Sequence, residues 1–197
     1  MESMTGTEAI CKYLRQSRDV VEAAIARPDF SETLAAIGDL LANALAAGGK
    51  VLIAGNGGSA ADAQHIAGEL LCRLNYDRAP IAAIALTSDS SVFTAIANDY
   101  SFEQVFERQV RGLGRMGDVL IAISTSGRSR NILRAIEAAR DRGISVVGLT
   151  GETGGEMANR CDLCLRVPSD WTPLIQQVHI IAAHVICTIV EERLFPR

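Results

Sequence analysis

Asp118-Val-Leu-Ile-Ala-Ile-Ser-Thr-Ser-Gly-Arg-Ser129 is the stretch on which the reading of this 197-residue chain turns. Val119 to Ile123 is apolar and β-rich, and short enough for a strand buried on both faces. Three hydroxyl residues follow, Ser124, Thr125 and Ser126, then Gly127, Arg128 and a fourth hydroxyl at Ser129. From Asn131 the pattern becomes helical, with Ile132, Leu133, Ile136 and Ala139 on one side. A strand running through a polar loop into a helix is where an α/β sheet holds a phosphate. Loop amides and the positive helix end converge there, and hydroxyls add neutral donors. Gly127 lets the backbone come close to an anion. A plain strand-to-helix turn needs only Ser129, as a helix cap. Four hydroxyls within six residues exceed that need.

The same pattern occurs upstream. Residues 50–54 read as a strand, Gly55-Asn-Gly-Gly-Ser59 as its loop, and residues 60–73 as the following helix. Further strands are expected over residues 80–86, 144–149 and 163–167, with helices over residues 92–97 and 102–111. A last helix over residues 173–194 is apolar nearly all round, so it is expected to be buried. Two helices lead the chain. The first, over residues 7–27, carries Ile10, Leu14, Val21 and Ile25 near one stripe and stops at Pro28. The second is expected to start at a Ser31 cap and to end at Gly48-Gly49. Five strands alternating with helices predict a three-layer α/β/α sandwich with a five-stranded parallel sheet. One domain is expected over residues 1–197, the leading helices in 1–48 and the sheet with its flanking helices in 49–197. Two leading helices are more than one sheet needs for cover, so they wrap it or supply an oligomer interface.

Hydrophobic residues make up 48% of the chain and aromatics only 5%, which suits a core of Ala, Ile, Leu and Val. The net charge of −4, with no Lys/Arg run, argues against a nucleic-acid partner. Five scattered cysteines argue against a disulfide framework and for the cytoplasm. Cys161 and Cys164 form a lone C-x-x-C, read as strand residues. The opening residues 1–8 lack the regions of a secretion signal, and no apolar run is read as long enough to span a membrane.

Gly55 to Ser59 lacks the spacing of a dinucleotide fingerprint. Two such loops at one sheet edge suit a short phosphorylated ligand lying between them. The helix after the first loop presents Asp62, His65 and Glu69 on one face. His65 and Glu69 can share a metal, or set a base beside an imidazole, or lie on a solvated polar face. In the last helix, Gln176 and His184 stand among apolar residues and need partners if buried. His179 competes with His184, and spacing does not choose between them.

Six motifs together resemble the SIS-domain sugar phosphate isomerases, and more narrowly the phosphoheptose isomerases. They are Ala-Gly-Asn-Gly-Gly-Ser (54–59), Asp-Ala-Gln-His-x-x-x-Glu (62–69), Ala-Asn-Asp (97–99), Ile-Ser-Thr-Ser-Gly-x-Ser (123–129), Leu-Thr-Gly-x-x-Gly-Gly (149–155) and Arg-Val-Pro (166–168). The resemblance implies interconversion of sedoheptulose 7-phosphate and D-glycero-D-manno-heptose 7-phosphate on the way to bacterial surface polysaccharide. It implies that Ser124, Thr125, Ser126 and Ser129 hold the phosphate, and that Asn56, Gly57, Gly58, Ser59, Asn98 and Asp99 hold the sugar, with Glu69 and Gln176 also touching it. It implies one zinc ion per subunit on His65, Glu69, Gln176 and His184, proton transfer by Glu69 and His184, and a homotetramer with sites at subunit interfaces. Two positions depart from the family: Arg128 replaces a more usual Asn, and Thr172 and Pro173 stand where some members carry an Asp. The non-enzymatic relatives that bind the DnaA replication initiator are the alternative. They typically carry Arg at the position of Ser126 and lack the histidine matching His184, and this chain keeps both residues.

Overall fold

Val119–Ile123 is the middle strand, β3, of a five-stranded parallel sheet ordered β2-β1-β3-β4-β5. The computed structural model describes residues 6–197, so residues 1–5, and with them most of the stretch read for a secretion signal, lie outside the described residues. The other strands are β1 (Val51–Gly55), β2 (Ala83–Ala85), β4 (Ser145–Thr150) and β5 (Leu163–Arg166). The helices are α1 (Gly6–Ile25), α2 (Pro28–Ala46), α3 (Gly58–Leu71), α4 (Ser90–Asp99), α5 (Val105–Leu113), α6 (Arg130–Asp141) and α7 (Thr172–Leu194). The three-layer sandwich with two leading helices is therefore the observed fold.

Alternation along the strands sorts the core into two layers. Val51, Ile53, Val119, Ile121 and Val147 face α2, α3 and α7, whereas Leu52, Ala54, Leu120, Ala122 and Val146 face α5 and α6. Registration places Gly55 of β1 beside Ile123 of β3. The loops leaving these two strands therefore start side by side, at the point where strand order reverses. That crevice is where ligands bind in open α/β sheets.

Several boundaries differ from the sequence reading. Helix α2 begins at Pro28, with Arg27 as its N-cap, and not at Ser31. Pro28 ends α1 and opens α2, because a first-turn residue needs no amide donor. Strand β2 is three residues long, since Ile81 spends its amide on the Leu70 carbonyl at the end of α3. Asn98 and Asp99 belong to the last turn of α4 rather than to a following loop. Cys161 precedes β5, so only Cys164 of that pair is a strand residue. Ser129 occupies the N-cap of α6, yet its side chain makes no capping bond.

Helix α7 is not buried all round. Leu174, Val178, Ala182, Ile186 and Val190 are buried, while Ile181 and Val185 are exposed. By length and composition α7 is apolar enough to cross a membrane, contrary to the sequence expectation, but half of its apolar window is packed inside the protein. On α1, Ile10, Leu14 and Ile25 are exposed, Ile25 by 73%. Only Val20 and Val21 of this helix reach the small cluster around Val167, Ile175 and Val178. Between α1, α2 and α7 lies an apolar cleft of about 370 Å³ lined by Val21, Phe30, Leu34, Val178, Ile181 and Ile189.

Candidate active site

The loop after β3 is drawn into a tight turn. Its first and last hydroxyls meet, Ser124 Oγ to Ser129 Oγ at 3.0 Å. Ser126 Oγ accepts from the Arg128 amide at 3.2 Å. Gly127 has φ of +63°, and a Cβ there would overlap the Gly154 carbonyl oxygen. Only glycine meets both demands. The Ser129 hydroxyl, freed from capping, turns toward Ser124 and leaves the first turn of α6 open to an anion.

Asn56, in the loop after β1, exchanges two side-chain bonds with Asn131 in the first turn of α6, at 2.9 and 2.8 Å. Asn131 is buried and was not singled out from the sequence. Its role depends on β1 and β3 being neighbours, which periodicity does not report. On the outer side of Asn56 a second cleft of about 380 Å³ opens, lined by Asn56, Gly57, Thr87, Phe93 and Phe102.

Helices α3 and α7 bring the remaining candidates together. His65 Nε2 lies 3.1 Å from His184 Nε2 and 3.0 Å from Glu69 Oε1. One ligand atom from each of the three residues lies within 4.8 Å of the others. Among the described residues this is the one Glu/His cluster so arranged. The Gln176 amide sits against Gly58, the first residue of α3, where any Cβ would collide with it. Two ring nitrogens this close either share a proton or share a cation, and the half-buried Glu69 carboxylate supplies the negative charge for the second case. Nearby, burial raises the Asp62 carboxyl above its ordinary value, with His65 pulling the other way, and Asp62 Oδ2 is buried without a partner.

The structure separates the two histidines that spacing could not. His179 is 1% exposed, its Nε2 3.2 Å from the Thr150 carbonyl, and burial pushes it down to about 4 against that carbonyl's opposing pull. It is a core residue, while His184 faces His65. Asn98 and Asp99 are not drawn into the cluster. They are exposed at the end of α4, with Asn98 Nδ2 bonded to Asp99 Oδ1 at 2.8 Å.

A family model described as SIS domain matches residues 12–151. A phosphoheptose isomerase of Rhodospirillum rubrum is 55% identical over 166 residues, which is 84% of this chain and 88% of that protein. The chain belongs to the SIS-domain phosphoheptose isomerases. Solved structures agree. That of phosphoheptose isomerase GmhA from Neisseria gonorrhoeae superposes with a TM-score of 0.90 at 41% identity, over 95% of this chain and all of the other. That of a phosphoheptose isomerase from Francisella tularensis does so with 0.92 at 39% identity, over 96% of this chain and all of the other. The chain is therefore an enzyme of the sugar phosphate isomerase class.

Proposed function

We propose that this isomerase converts open-chain sedoheptulose 7-phosphate into D-glycero-D-manno-heptose 7-phosphate in the cytoplasm, supplying bacterial surface heptoses. The observation that carries the reading is the meeting of His65 and Glu69, on the helix that follows the Gly55–Ser59 loop, with His184 of α7, in a fold that also carries a hydroxyl-rich loop after β3. Ser124, Thr125, Ser126 and Ser129 would hold the phosphate. Asn56, Gly57, Gly58 and Ser59, joined by Asn98, Asp99 and Gln176, would hold the chain of hydroxyls.

Glu69 takes the C1 proton, and the freed electron pair forms the C1–C2 double bond of a cis-enediolate. The charge gathers on the former carbonyl oxygen at C2. His184 carries the proton of the C1 hydroxyl to that oxygen, and Glu69 returns its own proton to C2, leaving an aldehyde at C1. Two imidazole nitrogens and a carboxylate oxygen within 4.8 Å suit one zinc ion per subunit, to which Gln176 would add a fourth ligand. When bound, zinc supplies Lewis-acid polarisation of the substrate oxygens.

The whole chain would act as one SIS domain within a homotetramer whose sites lie at subunit interfaces. Exposed Ile10, Leu14 and Ile25 of α1, beside exposed Ile181 and Val185 of α7, support burial against a second copy. The exposure of Asn98 and Asp99 at the end of α4 supports a shared site.

The test is turnover of sedoheptulose 7-phosphate in heavy water. Aldose phosphate should form with deuterium at C2, and Glu69→Gln should lower kcat by about 10²–10⁴ while binding persists. A wild type inert toward this ketose would overturn the assignment. Turnover without deuterium would instead favour a hydride shift and remove Glu69 as the base.

A further inference from the structure

We infer that Arg78 and Glu191 form a positioning pair that sets the separation of Glu69 from His184 without touching substrate. The inference rests on the roles given above to those two residues. Helices α3 and α7 run in the same direction, and paired contacts mark three levels along them. Gly58 meets Gln176 at the first level, and His65 meets His184 at the second. At the third, the backbone at Leu74 and Asn75 just beyond α3 binds the Glu191 carboxylate, at 3.2 and 2.9 Å. Glu191 follows His184 by seven residues, two turns on, and so lies on the same side of α7.

Arg78 completes this third level. Its Nε donates to Glu191 Oε1 at 2.9 Å, Nη1 to the Leu70 carbonyl at 2.7 Å, and Nη2 to the Glu69 carbonyl at 2.8 Å. The last carbonyls of a helix have no partner within it. Here one guanidinium fork ties two of them, including that of Glu69 itself, to the helix bearing His184. The side chains are 2% and 0% exposed. Burial pushes the Glu191 carboxyl up, but the Asn75 and Leu74 amides and Arg78 together hold it below its ordinary value, so the pair is ionic.

Stability alone is a poor reason for such a pair, because well-packed apolar residues of similar volume often do as well or better. A planar fork with fixed donor directions suits holding a backbone in place. Misplacement of a reacting group by about 1 Å costs about 10²-fold in rate.

The test compares Arg78→Lys, which keeps the charge and loses the fork, with Tyr76→Phe. The latter removes a hydroxyl bonded to the Phe195 and Glu191 carbonyls and leaves every Arg78 bond intact. The chain has three histidines, so imidazole ¹⁵N–¹H spectra can be followed residue by residue. Measured well below each melting temperature, Arg78→Lys should move the His65 and His184 signals and leave those of His179. Its kcat for sedoheptulose 7-phosphate should fall by about 10–100-fold with KM within about twofold, the usual range for residues that orient a site from behind. Glu191→Gln gives the same readout from the other partner. Tyr76→Phe should lower only the melting temperature. Arg78→Lys and Glu191→Gln variants that melt earlier yet keep wild-type kcat and histidine signals would overturn the inference. A wild type inert toward the ketose, with the His65 and His184 signals still moving in Arg78→Lys, would reject the substrate assignment and keep the positioning pair.

Discussion

His179 provides a quantitative check on how tightly α7 is packed against the sheet. Burial lowers its imidazole from an ordinary value of 6.5 to about 4, its Nδ1 has no hydrogen-bond partner, and its Nε2 contacts the Thr150 carbonyl. Above pH 6.5 the folded and unfolded chains both carry this histidine neutral, and its contribution to stability is fully present. As pH falls below 6.5 the unfolded chain takes up a proton that the folded protein refuses, so stability is lost. The difference of about 2.5 pH units is worth ~3.4 kcal/mol in full only once the pH is well below 4, at up to ~1.4 kcal/mol per unit on the way down. His179→Gln keeps a donor for the Thr150 carbonyl and removes the titration. Urea unfolding of both proteins at one fixed concentration, from pH 8 to pH 5, gives the difference in stability and cancels every other titrating group. The variant should be less stable at pH 8, by roughly 1–2 kcal/mol for imperfect packing. Its deficit should shrink by ~2 kcal/mol between pH 6.5 and pH 5. A difference that stays flat across this range would refute the reasoning, because the imidazole would then be protonated inside the folded protein as readily as outside it.

Protein purified without chelator should carry close to one zinc per subunit by elemental analysis, and chelation should lower activity. Metal-free, fully active protein would leave His65 a polar residue of the site. Ser126→Arg, which puts a long side chain where the phosphate is proposed to sit, should abolish binding of the sugar phosphate and of inorganic phosphate, measured by calorimetry. Unchanged phosphate affinity would move the anion site elsewhere. Ile181→Glu places a charge on the exposed apolar side of α7, and light scattering should show smaller assemblies than wild type. A wild type that is already monomeric at micromolar concentration would end the shared-site picture.

Local pattern alone was enough for the central unit. The apolar run from Val119 to Ile123, the hydroxyls from Ser124 to Ser129 and the helical stripe from Ile132 to Ala139 each report a period that the chain must obey wherever it folds. The same holds for the alternation of strands and helices, which dictates a parallel sheet covered on both faces. His65 and Glu69 could be paired from their spacing, because one turn of helix sets it. Tertiary structure decided everything that depends on which elements become neighbours. The adjacency of β1 and β3 joins Asn56 to Asn131, two residues 75 positions apart, and brings the two loops to one crevice. The packing of α7 on α3 selects His184 over His179, since a single helix carries both and only its rotation against the sheet says which one is buried. The same packing creates the Arg78–Glu191 pair, invisible beforehand because a charged residue announces neither its burial nor its partner. Sequence periodicity fixes which face of an element is apolar. Which face meets which is settled by the burial of all the faces at once, and the chemistry of this site lies in those meetings.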